Sequence, residues 1–385
     1  MSKNKKPMTK RRKNKRKLIV FIVELIILLI LVGGFWFMTK LNKINHTTVE
    51  KVDKNENMDE QTAEKLEKYT NLALLGLDNR VVGNYSTGNA DSIIIASINN
   101  ETKEVKLVSV YRDTYLRVTE AGTYSKVNSA YSRNDGAVGM MNMLNTNLDL
   151  DIEDYISVDW YALVKTINLI GGIDVEMTPQ EAMQVNKYVR DIGPATGYTT
   201  NRVAQAGPNH LDGVQALSYA RIRKGVGDDF KRTERQREVI SKMVENVKKA
   251  GIGTLSKIMD EVFPDIETSL TLTEMLDMAR SLMDYSMGET MGFPQEREGK
   301  TVGGSGACVI PASLQTNAEI LHKFLFENEV YQPSPTVQEI SNAIVYTTGV
   351  VAHPQPTEPD GAQNQAGSDG TTGTTGTTSQ GTVQQ

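Results

Sequence analysis

Between about residues 70 and 330 the chain is divided into short runs of two periodicities. LALLGLD (72–78), SIIIASI (92–98), VKLVSVY (105–111) and YISVDW (155–160) are leucine-rich or β-branched runs of strand length. NNETK separates the second from the third, a turn-rich connection that predicts a hairpin. Helical spacing appears in AVGMMNML (137–144), in YALVKTINLI (161–170) with Gly171 and Gly172 as its stop, and in GVQALSYA (213–220). A longer helix is predicted over 233–250, where Val239, Ile240, Met243, Val244 and Val247 form one stripe. More helical pattern follows at 272–285 and 313–327. Strands interleaved with helices predict an α/β fold with a mixed central sheet and helices on both faces.

The ends differ from this middle. LIVFIVELIILLILVGGFWFM (18–38) is an apolar run of bilayer-spanning length interrupted only by Glu24, with Trp36 and Phe37 where an aromatic belt belongs. It is too long for a signal-peptide core and no A-x-A site follows, so it predicts one retained transmembrane helix. Residues 1–17 carry ten basic side chains and no acid, which places this tail in the cytoplasm and everything after Lys40 outside. Residues 39–69 read as a polar stalk, 70–332 as the folded domain, and 333–385 as a low-complexity, disordered tail ending in GTTGTTGTTSQGTVQQ. AIVYTTGVV (343–351) fits a late strand or an adhesive segment equally well.

Charge narrows the function. Once the basic tail is set aside, 32 basic residues face 47 acidic ones, a body poorly suited to nucleic acid. Cys308 is the only cysteine, which excludes an intrachain disulfide. Histidines 46, 210, 322 and 353 lack ligand spacing, which argues against zinc.

Against that acidic body, YARIRKGVGDDFKRTERQ (219–236) gathers six Lys or Arg residues around two aspartates. Arg221 and Arg223 alternate as on one face of a strand, while Arg232 and Gln236 share a helix face with Arg235 close by. A helix N-terminus and guanidinium groups together suit phosphate oxygens. Helix capping by Asp228 or Asp229 and exposed ion pairs would explain the same residues. Three further acid-and-arginine loops favour the anion site: GLDNR with Asp78 and Arg80, NADSII with Asp91, and SVYRDT with Arg112 and Asp113. Asp78 and Asp91 would suit Mg²⁺ shared with substrate phosphates, the machinery of phosphoryl transfer. Lys126 and Asn128 in KVNSAY read as a helix entry, and GGSGAC (303–308), lacking the Walker order, as a loop.

The ordered series GLDNR, NADSIIIASIN, LVSVYRDT, KVNSAY, GGIDVEM, LDGVQALSYARIR and DDFKRTERQ, over roughly 70–250, resembles the LytR–CpsA–Psr family of membrane-anchored cell-envelope proteins. The resemblance implies a phosphotransferase that moves an anionic glycopolymer, such as wall teichoic acid or capsular polysaccharide, from a polyprenyl-pyrophosphate carrier to peptidoglycan. By matching positions, Asp78 and Asp91 would bind Mg²⁺, with Mn²⁺ an alternative. Arg80, Arg112, Arg221, Arg223 and Arg232 would grip the pyrophosphate, with Arg235 and Gln236 beside them or bracing the loop. Arg221 and Arg223 would also take part in catalysis, and Asp229 would act as base or as orienting group for the attacking hydroxyl. The expected partners are the lipid-linked glycan, peptidoglycan and the plasma membrane, with no nucleic acid. A polyprenyl-pyrophosphate hydrolase and a non-enzymatic lipid-binding or regulatory protein are the alternatives. Four positions depart from the family pattern: Asn89–Ala90 stand for Arg-Ser, Tyr111 for proline and Lys231 for glycine. Arg133 and Lys231 are the candidates to replace the missing charge.

Overall fold

Strand pairing follows the apolar runs. In the computed structural model the described residues are 34, 38–40, 43–49, 52–78, 83–85, 88–223, 229–328 and 330–351. The expected membrane span therefore lies almost wholly outside them, as do Arg80 and Asp228. Among the described residues no helix is long and apolar enough to cross a membrane.

The first half of the domain runs β1 (Asn45–His46), α1 (Glu60–Leu66), β2 (Tyr69–Leu77), β3 (Ala90–Asn99), β4 (Glu104–Val110), β5 (Tyr115–Arg117), β6 (Tyr124–Lys126), α2 (Ser129–Arg133) and α3 (Gly136–Leu148). Next come β7 (Asp154–Val158), α4 (Trp160–Leu169), β8 (Ile173–Met177), α5 (Pro179–Thr196), β9 (Gly207–Leu211), α6 (Gly213–Ala220), α7 (Asp229–Lys249) and α8 (Ile252–Glu261). The chain closes with β10 (Ile266–Thr268), α9 (Leu272–Arg280), β11 (Ser286–Phe293), β12 (Arg297–Val302), β13 (Gly306–Pro311), α10 (Leu314–Phe326) and α11 (Pro335–Thr348).

The main sheet has the order β1-β10-β7-β2-β3-β4-β11. It is mixed: β3 runs antiparallel to β2 and β4, as the hairpin predicts, while β2–β7 and β4–β11 are parallel. Successive side chains of a strand point to opposite faces, and here both faces are covered. Ala73, Leu75, Ile93, Ile95, Val108 and Val110 join the core beneath α3, α10 and α11. Leu72, Ile94, Ala96, Ile98 and Leu107 face Ile240 of α7 and Met275 of α9. A third cluster packs α5, α6 and α7 around the antiparallel β8–β9 pair. This cluster carries the arginine-rich segment to the sheet.

Three expectations are corrected. Residues 335–348 form a helix, not part of a disordered tail: Ser334 caps it, Pro335 takes its first turn, and Val337, Ile340 and Ile344 are buried. The proline-rich stretch is thus a helix start, and the domain reaches at least Val351. The stalk is shorter than 39–69, since Asn55 is buried against Asp149 and Ser334 and α1 packs Leu66 into the core. Arg221 and Arg223 do not lie on a strand; Arg221 is the C-cap of α6, and buried Ile222 separates it from Arg223.

His322 of α10 is fully buried, stacked on Tyr331 at 3.6 Å, with Nε2 at 2.9 Å from the Leu148 carbonyl. Burial pushes its pKa down to about 4, against the Leu148 hydrogen bond and Asp149, which favour the charged form. The folded state thus holds the neutral ring, and the unfolded chain binds the proton first. Its stabilising contribution is complete above about pH 6.5 and is lost as pH falls toward 4, at most about 3 kcal/mol. Denaturant titrations between pH 7 and 5 are expected to show this slope in the wild type and a flatter one in His322→Phe; equal slopes would refute it.

Candidate functional site

The carboxyl ends of β2 and β4, the start of β3, the end of α6 and the start of α7 meet at one place. Asp91 sits there through a bulge: Gly76 pairs with Ser92 and Leu77 with Ala90, leaving Asp91 the extra residue. Such a bulge re-aims a side chain. Its Oδ1 accepts from Arg112 at 3.0 Å and its Oδ2 from Arg223 at 3.4 Å. Asp229, the first residue of α7, is bonded to Arg232 at 2.8 Å and lies 3.7 Å from both Arg112 and Arg223. Arg221 faces Asp78 at 3.9 Å. Arg112 thus joins three arginines of the 219–236 segment in sharing three carboxylates.

Local structure explains their aim. Asp212 and Gln215 form a capping box that starts α6. Gly213 lets α6 press onto α4, since a Cβ there would fall 2.2 Å from the Val164 carbonyl oxygen. That approach lays Arg221 over Trp160, the first residue of α4, with Cζ 3.5 Å from the ring centroid. A cation held over an aromatic face keeps its charge in a fixed place. Nothing in the sequence pairs Trp160 with Arg221, and the sequence reading did not single it out.

Arg232 is only 2% exposed. Burial, together with Arg223 and Arg112 and against Asp229, pushes its pKa down to about 10, so it stays cationic at neutral pH. Burial lowers Arg221 too, opposed by Asp78. At Arg112 burial acts the same way, but Asp91, Asp229 and Asp113 outweigh it and raise the pKa. The buried Nε atoms of Arg112 and Arg232 have no hydrogen-bond partner among the described residues. Buried donors without partners are costly, and an oxyanion between these arginines would satisfy both.

A cavity of about 420 Å³ opens from this cluster between the sheet and α7. Asp91, Arg221, Arg223, Arg232 and Gln236 line its charged end, and Leu74, Ile94, Ile156, Val239, Met243 and Val247 its apolar length. From Arg232 to Val247, α7 spans about 22 Å. The stripe on α7 read from the sequence thus lines a cavity.

The other expected residues fall as follows. Gln236 accepts a hydrogen bond from Ser92 at 3.2 Å and braces α7 on β3. Arg235 is not brought to the cluster: it is buried and bonded to Glu181 of α5 at 2.8 Å and to the Ile222 carbonyl. It fixes the loop that carries Arg221 and Arg223. Lys126 pairs with Asp113 at 3.0 Å, Lys231 with Glu234 at 2.7 Å. Asn89 accepts from Ser132 of α2, next to Arg133, whose Nε bonds Ser129.

Asp78 and Asp91, on neighbouring strands, offer hard oxygen donors, yet guanidinium groups already face both. Among the described residues no group of three His, Cys, Asp or Glu could hold a metal ion. Two carboxylates fit a magnesium ion whose other ligands are substrate phosphates and water, and not a closed protein cage.

The α/β domain thus joins an arginine–carboxylate cluster to a long apolar cavity. The LytR_cpsA_psr family model matches residues 35–314, and the chain belongs to that family. The polyisoprenyl-teichoic acid–peptidoglycan teichoic acid transferase TagU of Enterococcus faecalis is 30% identical over 253 residues, 65% of this chain and 75% of that protein. The transferase of the same description from Bacillus subtilis, TagV, is 27% identical over 257 residues, 64% of this chain and 61% of its own length. A solved structure of TagT bound to LIIa-WTA superposes with a TM-score of 0.53 at 18% identity, covering 79% of this chain and 100% of that one, a likeness of fold.

Proposed function

We propose that this protein is a membrane-anchored transferase outside the plasma membrane. It would move an anionic glycopolymer from a polyprenyl-pyrophosphate carrier to a peptidoglycan hydroxyl. The observation that carries this reading is the apolar cavity closing on Arg221, Arg223 and Arg232 at one end. The polyprenyl chain would lie along α7, with its pyrophosphate among the arginines. The names of the curated relatives support the same donor and acceptor classes. Residues 18–38 would provide the anchor.

In this reading Arg112, Arg221, Arg223 and Arg232 hold the pyrophosphate oxygens and take up the charge that develops on them. Asp229, fixed by Arg232, orients the attacking hydroxyl and accepts its hydrogen bond. The hydroxyl oxygen bonds to the glycan-side phosphorus as its proton passes to Asp229, the bridging P–O bond breaks, and polyprenyl phosphate leaves; Asp229 then returns the proton to the departing phosphate or to solvent. Asp78 and Asp91 would hold Mg²⁺, which would neutralise phosphate charge. The cavity excludes water from the lipid side.

Incubating the full chain in detergent with a lipid-pyrophosphate glycan, Mg²⁺ and peptidoglycan fragments tests the reading. Joined glycan is expected; free glycan phosphate alone would make the protein a hydrolase, and bound intact lipid alone a lipid-binding protein. Asp78→Ala is expected to abolish the stimulation of transfer by Mg²⁺, and full stimulation in that variant would remove Asp78 from the metal site.

A further inference from the structure

Arg297, the first residue of β12, has no ion pair with an acid among the described residues. Its Nη1 donates to the Pro294 carbonyl at 3.1 Å and the Gln295 carbonyl at 2.9 Å. Its Nε and Nη2 hydrogens have no partner among the described residues. The guanidinium is nevertheless held in place. Its Cζ lies 4.1 Å from the ring centroid of Phe230 and 5.1 Å from that of Tyr111. The two rings meet edge-on at 4.5 Å. Phe230 follows Asp229, and Tyr111 precedes Arg112.

Position gives this arginine a direction. Side chains turn by about 100° per residue along a helix. Arg232, Gln236 and Val239 line the cavity from α7, while Phe230 turns toward Tyr111 at the end of β4 and Arg237 bonds Thr290 of β11. Arg297, Phe230 and Tyr111 do not line the cavity. Their chain neighbours Arg112 and Asp229 lie 3.7 Å apart, so the two rings and the guanidinium stacked on them sit near the cluster but outside the cavity. A donor that fills the cavity and the arginine cluster leaves this outer side for the attacking molecule.

We propose that Arg297 forms a separate anion subsite, one that holds a carboxylate of the acceptor glycan while Asp229 orients its hydroxyl. The unspent Nε–Nη2 edge is the planar fork that matches a carboxylate with two parallel hydrogen bonds. Stacking on Phe230 and Tyr111 fixes the fork before the ligand arrives, so little side-chain freedom is lost on binding. The inference rests on the transferase reading for the identity of its ligand.

The test uses the full chain in detergent, a lipid-pyrophosphate glycan, and matched peptidoglycan fragments with free or amidated carboxyl groups. Arg297→Gln is expected to raise the KM for the free-carboxylate acceptor roughly ten- to a hundredfold, with donor KM changed less than about twofold. It should also erase the wild-type preference for that acceptor over the amidated one. Arg297→Lys, which keeps the charge but not the fork, should fall between. An unchanged acceptor KM overturns the proposal, and so does a rise in donor KM, which would put the subsite on the donor. If the wild type transfers to neither fragment, the transferase reading fails. Calorimetric binding of the free-carboxylate fragment then decides: weaker binding to Arg297→Gln upholds the subsite, and equal binding rejects it.

Discussion

Arg221→Ala is expected to lower glycan transfer by roughly a hundred- to a thousandfold, the cost of removing one preorganised charge from a developing oxyanion. The fold should hardly register the change. The side chain is a C-cap residue at the surface end of α6, and the capping hydrogen bonds there come from its backbone N–H. Its losses would be the stack on Trp160 and a distant pairing with Asp78, together about 1 kcal/mol. For a domain of this size that is a fall of about 2–4 °C in Tm. Thermal scans beside single-turnover assays separate the two effects. A large drop in Tm with full activity per folded molecule would make Arg221 a structural residue.

Asp149→Ala should do the reverse, destabilising the protein by about 3–5 kcal/mol with little change in activity per folded molecule. Asp149 is fully buried at the end of α3 with φ 50°. Its carboxylate accepts from the Tyr331 hydroxyl at 2.6 Å, the Ser334 N–H and hydroxyl at 2.8 Å, and the Asn55 amide. Alanine would leave these donors unpaired in the interior and would also strain the left-handed backbone. The network joins the segment before α1, the middle of the domain and the start of α11. A chain truncated at residue 332 should therefore lose comparable stability. Denaturant midpoints measure both, and a truncated chain as stable as the wild type would show α11 to be dispensable.

The strands β2, β3, β4 and β7 were legible because a doubly covered sheet requires continuous apolar runs, and the runs supplied them. Helices α3, α4, α6, α7 and α10 were legible from apolar spacing and glycine stops. Helix α11 was not, since Pro335 and Ser334 look like linker residues until they are seen as a first turn and its cap. The strands β11, β12 and β13 carry little apolar alternation on their exposed stretches and went unidentified.

At the site, residue types revealed the chemistry and tertiary contacts divided the labour. The sequence by itself determined that aspartates and arginines stand at strand ends and before a long helix, because those are local properties of the chain. Only the tertiary structure decided that Arg235 serves Glu181 while Arg221 stacks on Trp160. It alone turned the stripe on α7 into a cavity wall, and it alone stacked Arg297 on Phe230 and Tyr111. Each of these depends on groups dozens of residues apart meeting within a few ångströms. Periodicity reports the face a residue occupies, but the partner across that face is fixed by packing.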